Sequence, residues 1–179
     1  MRSEIRACNR EDIPILVEII RSSFRDVAVR FGLTEDNAPR HPSNCTSEWV
    51  RRDMERGVAY FIIESNGHAV GCAALERADP QTCYLERLAV LPGHRRHGFG
   101  RALVEHVLSQ ARLLAAGRVA IGIIADHIEL KDWYGRIGFV EEEIREFPHL
   151  PFRVTFMAYD LKKDRRERSP ADTGRGSRR

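Results

Sequence analysis

The chain has 179 residues, of which 42% are hydrophobic and 31% are charged, a balance typical of one ordinary soluble globular domain. No apolar run approaches the roughly 18–20 residues that a membrane-spanning helix needs, and the first residues lack the apolar centre of a secretory leader. Length and composition therefore exclude membrane, collagen-like, wholly disordered and disulfide-scaffold proteins, and they predict a cytoplasmic protein.

The formal net charge of +3 is distributed unevenly along the chain. Residues 161–179 contain eight basic and three acidic residues, whereas residues 1–160 contain 21 basic and 23 acidic residues. A segment with so little apolar surface cannot offset its ordering entropy, so we predict one domain over residues 1–161 and a basic, disordered tail over 162–179. A basic tail is compatible with nucleic-acid binding, but no interleaved aromatic residues accompany it, which favours a solvated end.

The four cysteines, Cys8, Cys45, Cys72 and Cys83, are spread singly, and no two form a Cys-x-x-Cys pair. This spacing lacks a metal-ligand pattern, so no metal site is predicted, and it indicates a reducing compartment. Cys72 and Cys83 lie in strand-like runs and are predicted to be small core residues. Cys45 lies in a polar loop and is the one candidate for a reactive thiol.

In the first half of the chain, hydrophobic periodicity alternates between the helical and the strand period. Asn9 is a suitable N-cap, and the apolar residues after it recur at helical spacing until Gly32, a suitable helix stop. The tripeptide Ser65-Asn66-Gly67 separates two β-rich runs and predicts a hairpin. The predicted elements are a strand over 3–8, a helix between residues 9 and 32, a loop over 34–46, a short helix over 47–56, and strands over 58–64 and 68–76.

The second half predicts two helical crossovers between strands. Its predicted elements are a strand over 82–91, a basic loop over 93–101, a long amphipathic helix stopped by Gly117, a strand over 119–124, a short helix over 129–137 capped by Gly138, and strands over 139–146 and 152–161. The hairpin requires antiparallel pairing, whereas the crossovers allow parallel pairing. We therefore predict an α/β fold, a single domain with a mixed sheet and helices on both faces.

The basic loop between the strand over 82–91 and the long helix is the most informative stretch. The first turn of a helix carries unpaired N–H groups and a partial positive charge, so it can bind a phosphate or pyrophosphate. Gly98 and Gly100 remove Cβ atoms and let the backbone close on such an anion. Two common phosphate loops do not match, because Leu103 replaces the third glycine of a dinucleotide fingerprint and Gly-Lys-Ser/Thr is missing. Solvated arginines at a helix N-terminus are the alternative interpretation of the basic residues Arg95, Arg96, His97 and Arg101.

Residues 95–100, Arg-x-x-Gly-x-Gly, resemble the acetyl-CoA loop of the GNAT superfamily of N-acetyltransferases. Residues 133–139, Trp-Tyr-x-x-x-Gly-Phe, resemble the aromatic-Tyr-x-x-x-Gly-Phe helix end of the same family. Both motifs occur in the family's order, and the resemblance covers about residues 3–161. It implies a GNAT-like fold in which the strands over 82–91 and 119–124 splay apart, so that the acyl chain lies in the gap.

The resemblance implies acetyl-CoA as cosubstrate and residues that bind it. Backbone groups of Leu88, Ala89 and Val90 are expected to pair with the pantetheine arm. His127 stands where the family commonly has an asparagine that touches the cofactor, and a loop histidine without this contact is the alternative. Leu130 replaces the family's usual small residue. The pyrophosphate is expected on the amides of Arg95, Arg96, His97, Gly98, Phe99, Gly100 and Arg101.

Two side chains are predicted to be catalytic. Glu86 is the candidate general base for the amine, and strict strand alternation puts it on the face of Leu88 and Val90, opposite Arg87. The alternative is a Glu86 that only pairs with a nearby arginine, since related enzymes often place a glutamate two residues earlier. The Tyr134 hydroxyl is expected beside the thioester sulfur as acid or positioning group, the alternative being a core aromatic. An amide of Leu88 or Val90 is expected to stabilise the carbonyl oxygen.

The acceptor side is predicted from loops. The long loop within residues 31–49 is expected to cover the acceptor, with Phe147, His149 and Phe152 as the opposite wall. Because no cysteine lies in either motif, direct transfer in a ternary complex is predicted. The near-neutral body lacks an acidic groove, so a small-molecule amine is favoured over a protein or peptide acceptor. A non-catalytic acyl-CoA sensor and a homodimer are further alternatives.

Overall fold

Seven strands and four α-helices form the part of the chain that the computed structural model describes, residues 3–163. The strands are β1 (Ser3–Ala7), β2 (Ala59–Ser65), β3 (His68–Arg77), β4 (Thr82–Val90), β5 (Arg118–Ile124), β6 (Val140–Arg145) and β7 (Val154–Asp160). The helices are α1 (Ile13–Arg30), α2 (Ser47–Glu55), α3 (Phe99–Leu113) and α4 (Ile128–Ile137).

The strands form one open, mixed sheet in the order β1-β2-β3-β4-β5-β7-β6. β4 and β5 are parallel, and all other neighbours are antiparallel. β4 and β5 pair only at their beginnings, residues 82–84 against 118–120, although both strands continue for several residues. The predicted splay is therefore confirmed, and it leaves a gap between the C-terminal halves of these two strands.

Helices cover both faces of the sheet, as predicted. On one face, the buried side chains of Leu103 and Val107 in α3 and of Tyr134 in α4 share a core with the sheet. On the other face, Leu16 of α1 and Val50 of α2 belong to a second core. Truncating a fully buried leucine in such a core typically costs about 2–5 kcal/mol of unfolding free energy. The two cores therefore stabilise the sheet from both faces and hold the splayed strands in place.

The start of the first helix and the hairpin have the predicted local chemistry. The Asp12 carboxylate accepts a hydrogen bond from the Asn9 backbone N–H at 2.9 Å, and α1 begins after this turn, at Ile13. Asn66 and Gly67 have φ values of 51° and 80°, the left-handed pair that a two-residue hairpin turn requires.

The long helix ends earlier than predicted, and Gly117 is not its stop. α3 ends at Leu113, and Ala115 adopts the left-handed conformation that follows it, with φ of 58°. Gly117 instead leads into β5: its φ is not in the left-handed region, and its backbone N–H donates to the Gln81 carbonyl at 2.8 Å. The prediction was wrong because the left-handed position after the helix is occupied by an alanine, where glycine is the usual residue.

All four cysteines are free thiols, and the candidate reactive thiol at Cys45 was wrong. Cys45 is fully buried, and burial raises the pKa of its thiol, so the nucleophilic thiolate is disfavoured. Cys72 and Cys83 are fully buried core residues, as predicted.

The described chain ends against the core. Leu161 is buried, and its backbone N–H donates to the Gly117 carbonyl at 3.0 Å. Most of the predicted tail, residues 164–179, lies outside the described residues. Within residues 3–163, no helix is long and apolar enough to cross a membrane.

Candidate active site

The basic loop enters α3 through residues with left-handed backbone conformations. Arg96 and Gly98 have φ values of 65° and 83°, and Gly98 is the N-cap of the helix. Because glycine has no side chain to accept a hydrogen bond, the first-turn amides of Phe99, Gly100 and Arg101 have neither an intrahelical acceptor nor a side-chain cap. Unpaired amides at the positive end of a helix dipole are suited to binding an anion.

The Arg95 side chain anchors this loop to α1. Its Nη2 donates to the Ser23 carbonyl at 2.7 Å, its Nε donates to the Val90 carbonyl at 3.2 Å, and the guanidinium pairs with Asp26. This pairing lowers the pKa of the Asp26 carboxyl. Because Asp26 neutralises the Arg95 guanidinium, Arg95 holds the loop in position rather than supplying free positive charge.

The other predicted loop residues differ in their positions. Phe99 is buried in the core and fixes the beginning of α3, whereas Arg96 is exposed. The Arg101 guanidinium pairs with Glu105 one turn later, at 2.8 Å. His97 is exposed, and its ring stacks on Phe99 with centroids 6.1 Å apart.

A cavity of about 410 Å³, hereafter the loop cavity, lies between α1, the end of β4 and the beginning of α3. Of the predicted cofactor-binding residues, His97 and Tyr134 do not line it, and Tyr134 lines a neighbouring cavity instead. The lining residues that were predicted are Leu88, Ala89, Val90, Arg95, Arg96, Gly98, Phe99, Gly100, Arg101 and His127. The structure therefore brings ten of these predicted residues to one cavity.

A second cavity of about 550 Å³, hereafter the strand cleft, fills the gap between β4 and β5. It is lined by residues of both strands, by Tyr134 of α4 and by Phe156 of β7. The two cavities meet, because both are lined by Phe24, Val27, Leu88, His127 and Leu130. An elongated thioester and an amine can therefore approach one another from opposite sides of Leu88.

A β-bulge in β4 changes which face Glu86 occupies. Cys72 of β3 pairs with Ala89 and Ala74 pairs with Glu86, so two residues of β4 oppose one residue of β3. Leu88 packs with the core under α3, and Ala89 belongs to the core under α1 and α2.

The predicted alternation is consequently wrong. Before the bulge, Leu85 points toward α3, so Glu86 points to the opposite face, away from Leu88 and Val90. The alternation of side chains along β4 is interrupted at Arg87, whose φ of 53° lies in the left-handed region. Glu86 and Arg87 both have Asp53 of α2 among the charges that act on them.

Glu86 still lines the strand cleft. Burial raises the pKa of its carboxyl, and the nearby positive charge of Arg87 partly opposes this shift. None of the ion pairs formed within residues 3–163 involves Glu86, so the arrangement leaves its carboxylate available to a proton from the cleft.

Tyr134 is held between aromatic rings at the base of the strand cleft. Its ring centroid lies 4.8 Å from that of Trp133 and 5.2 Å from that of Phe139, both in edge-on arrangements. The residue is 5% exposed, and burial raises the pKa of its phenol. The hydroxyl is therefore neutral and can donate a hydrogen bond.

His127 lies at the N-cap position of α4, where it lines both cavities. Its ring contacts Phe31 at a centroid distance of 5.6 Å. Burial lowers the pKa of the imidazole, with the positive charge of Arg30 acting in the same direction. A neutral histidine here can form hydrogen bonds with a bound molecule in either cavity.

Only part of the predicted acceptor wall lines the strand cleft. From the long loop, Arg40, His41 and Pro42 line it, and Phe152 lines it from the opposite side. Phe147 and His149 do not line it, and their rings contact each other at 5.8 Å. Their adjacency to proline in the sequence indicated a loop but not the direction in which the loop folds.

Sequence reasoning missed three residues that the geometry singles out. Trp133 lines the loop cavity beside Gly100, and a Cβ atom at Gly100 would lie 3.5 Å from its ring. Asp26 holds Arg95, and Arg87 lines the strand cleft. Trp133 could have been found from its place in the second motif, whereas the other two depend on tertiary contacts.

Comparison with protein families and curated sequences agrees with this geometry. Residues 17–139 match the model of the acetyltransferase (GNAT) family. The chain is 26% identical over 138 residues to YjgM, an uncharacterized N-acetyltransferase of Escherichia coli K12, which covers 75% of this chain and 80% of that protein. It is 27% identical over 146 residues to an amino-acid acetyltransferase of Neisseria meningitidis, covering 80% of this chain but only 29% of that longer protein.

Solved structures share the fold at low sequence identity. The ribosomal-protein-S18-alanine N-acetyltransferase of Escherichia coli superposes with a TM-score of 0.72 at 18% identity, covering 89% of this chain and 94% of its own. The yncA acetyltransferase of Salmonella typhimurium, solved with acetyl-CoA, gives a TM-score of 0.68 at 19% identity over 90% and 95% of the two chains. With the family match over more than half of its length, the chain belongs to the GNAT family and is an acetyl-CoA-dependent N-acetyltransferase.

Proposed function

We propose that this enzyme transfers the acetyl group of acetyl-CoA to a primary amine of a small molecule by direct attack in a ternary complex. The observation that carries this proposal is the meeting of the loop cavity and the strand cleft at Leu88. A thioester entering from one side and an amine entering from the other would react where the cavities join, so no acyl-enzyme intermediate is required.

The loop cavity fits coenzyme A. The unpaired amides at the beginning of α3 would bind the pyrophosphate, and Gly100 leaves the backbone accessible beside Trp133. Backbone groups of Leu88, Ala89 and Val90 would extend along the pantetheine arm. His127, which lines both cavities, would contact the cofactor near the junction.

Glu86 is the proposed general base. An alkylamine is mostly protonated at neutral pH and must lose a proton before its nitrogen can attack the carbonyl carbon. The Glu86 carboxylate lines the cleft, and its raised pKa makes it a better proton acceptor than an exposed glutamate. It would take the ammonium proton directly or through one water molecule.

The Leu88 amide in the bulge and the Tyr134 hydroxyl would stabilise the two negative charges that develop during acetyl transfer. As the N–C bond forms and the C–S bond breaks, negative charge develops first on the carbonyl oxygen and then on the departing sulfur. Leu88 is skipped in the ladder between β3 and β4, so its amide is the proposed donor to the oxygen. The Tyr134 phenol, kept neutral by burial, would donate its proton to the thiolate.

A small acceptor is favoured by the shape of the strand cleft. Loop residues Arg40 to Pro42 and Phe152 stand on opposite sides of it, and α1 borders it through Phe24. One relative acts on amino acids by its name, and one structural neighbour acts on a ribosomal protein, so both acceptor classes occur among similar proteins.

An acceptor screen tests the proposal. The full chain with acetyl-CoA is offered amines, amino acids and peptides while release of free coenzyme A is followed, and binding of coenzyme A is measured by calorimetry. Turnover with small amines supports the proposal, and turnover with peptides alone would assign a peptide acetyltransferase. Tight coenzyme A binding without turnover of any acceptor would indicate an acyl-CoA sensor.

A further inference from the structure

Arg87 is an unusual residue for the wall of the strand cleft. Its side chain is only 17% exposed, and its Nε–H is buried without a hydrogen-bond partner among the described residues. A buried donor that lacks an acceptor destabilises the folded protein, because it has lost its hydrogen bonds to water without replacing them. The left-handed backbone of the bulge adds strain, since non-glycine residues rarely adopt positive φ.

The nearest carboxylate does not satisfy this guanidinium. Arg87 Nη2 lies 3.7 Å from Asp53 Oδ2, beyond normal hydrogen-bond length. That same oxygen accepts the Tyr60 hydroxyl at 2.7 Å, and the other carboxylate oxygen accepts Arg56 at 2.9 Å. The Trp49 ring lies 5.6 Å from the guanidinium carbon, so one face of the group rests on an aromatic ring.

The charged and polar groups of the cleft favour an anion beside Arg87. Arg40 and Arg87 are the cationic side chains among its lining residues, and Glu86 is the acidic one. The His41 pKa is lowered to about 4 by burial and by Arg87, so its ring is neutral. The His41 Nδ1 atom accepts from the Ser43 amide at 3.3 Å and lies 2.8 Å from Ser43 Oγ, so Ser43 fixes the ring in the wall of the cleft.

We propose that Arg87 binds a carboxylate of the acceptor, so that the acceptors of this enzyme are free amino acids. The inference rests on the proposed function and names its substrate class. Glu86 and Arg87 are consecutive and both line the cleft, and an amino acid carries its ammonium and carboxylate on one carbon. An amino acid bound with its amine at Glu86 would carry its carboxylate toward the neighbouring Arg87 guanidinium, which lines the same cleft and lacks a full set of acceptors.

The first experiment compares matched acceptors with the wild-type enzyme. Leucine, phenylalanine, glutamate and lysine are each compared with their α-carboxamide and their α-decarboxylated amine. The carboxamide has a less basic amine and the decarboxylated compound a more basic one, so amine basicity alone cannot favour the amino acid over both. We expect kcat/KM for the best amino acid to exceed both analogues by about 10- to 100-fold, the worth of a hydrogen bond between charged groups.

The second experiment changes Arg87. In Arg87→Gln, the ratio of kcat/KM between the amino acid and its carboxamide should fall toward one, mainly through a higher KM for the amino acid. The ratio is measured within one preparation, so loss of folded protein does not affect it. Arg52→Gln is the matched control, because Arg52 is an exposed arginine of α2 that pairs with Glu48. Its ratio should equal that of the wild type.

Several results would overturn the inference. If the wild-type enzyme acetylates the carboxamide or the decarboxylated amine with the same kcat/KM as the amino acid, it has no carboxylate site. The proposed function stands in that case. An Arg87→Gln ratio equal to the wild-type ratio removes Arg87 from the site. Absence of both turnover and calorimetric binding for all four amino acids also refutes the inference. Binding of coenzyme A and turnover of the peptides in the acceptor screen report separately on the proposed function.

Discussion

The loop cavity and the strand cleft meet at Leu88 but are built in different ways. The anion-binding side of the loop cavity consists of one continuous stretch, residues 88–101, and it offers main-chain N–H groups. The strand cleft is assembled from residues of α1, the long loop, β4, β5, α4, β7 and the loop before β7, which contributes Phe152. A site formed by backbone groups leaves a glycine pattern in the sequence, whereas a site formed by side chains from seven separate segments leaves no regular spacing.

The junction of the two cavities should give the largest effect. Tyr134→Phe removes the proposed proton donor for the thiolate without changing the ring packing against Trp133 and Phe139. We expect kcat to fall by about 100-fold or more, the range of general acid catalysis. Calorimetry should give an unchanged coenzyme A dissociation constant. Equal loss of coenzyme A affinity would show that the hydroxyl binds rather than donates.

On the side of the strand cleft, Glu86→Gln should remove a limb of the pH profile. Burial raises the pKa of Glu86, and a base must be ionised, so wild-type kcat/KM should fall as pH decreases through that raised pKa. The variant should lose this limb and about 10- to 100-fold of its rate. Glu76→Gln, a change at a β3 residue that pairs with Arg56, should keep the limb but move it to lower pH, because the Glu76 charge helps to raise the Glu86 pKa. A profile with the limb intact in Glu86→Gln would exclude this base.

On the side of the loop cavity, Gly100→Asp should weaken coenzyme A and leave folding intact. A Cβ atom fits at Gly100, so the variant tests charge rather than space. A carboxylate beside the first-turn amides would repel a pyrophosphate, and we expect an increase of about 10- to 30-fold in the dissociation constant. Gly100→Ala is the matched control and should change the constant only slightly. Equal effects of both substitutions would attribute the loss to crowding.

The contact between Arg95 and Asp26 should have the smallest effect. Both side chains are more than one-third exposed, so a double-mutant cycle of Arg95→Gln and Asp26→Asn should give a coupling of no more than about 1 kcal/mol at pH 7. The pKa of Asp26 is lower in the folded protein than in the unfolded chain. The contribution of the pair to the free energy of unfolding is therefore present above the ordinary aspartate pKa and is lost as the pH falls through the lowered pKa of the folded state. Urea unfolding between about pH 5 and pH 2 measures this, with the exposed Asp132→Asn as control. A coupling independent of pH would contradict the ion pair.

Local periodicity predicted the order of elements, and the splay was predicted only from the family resemblance that the two motifs carry. The bulge at Arg87 could not be predicted, because an extra residue in β4 is visible only against the register of β3. The helix stop at Gly117 failed because Ala115, a residue type that rarely adopts positive φ, takes the left-handed position after α3. Arg95 and Asp26 are 69 positions apart, and no pattern along the chain pairs them.

The protected cysteines make the protein suitable for a colorimetric readout. Cys45, Cys72 and Cys83 are buried, and half-buried Cys8 has a pKa raised to about 12 by desolvation. An aromatic disulfide reagent therefore meets few protein thiolates at neutral pH, and its absorbance reports the coenzyme set free in each turnover. The same reagent in denaturant would count four sulfhydryls, so one dye measures both catalysis and loss of structure.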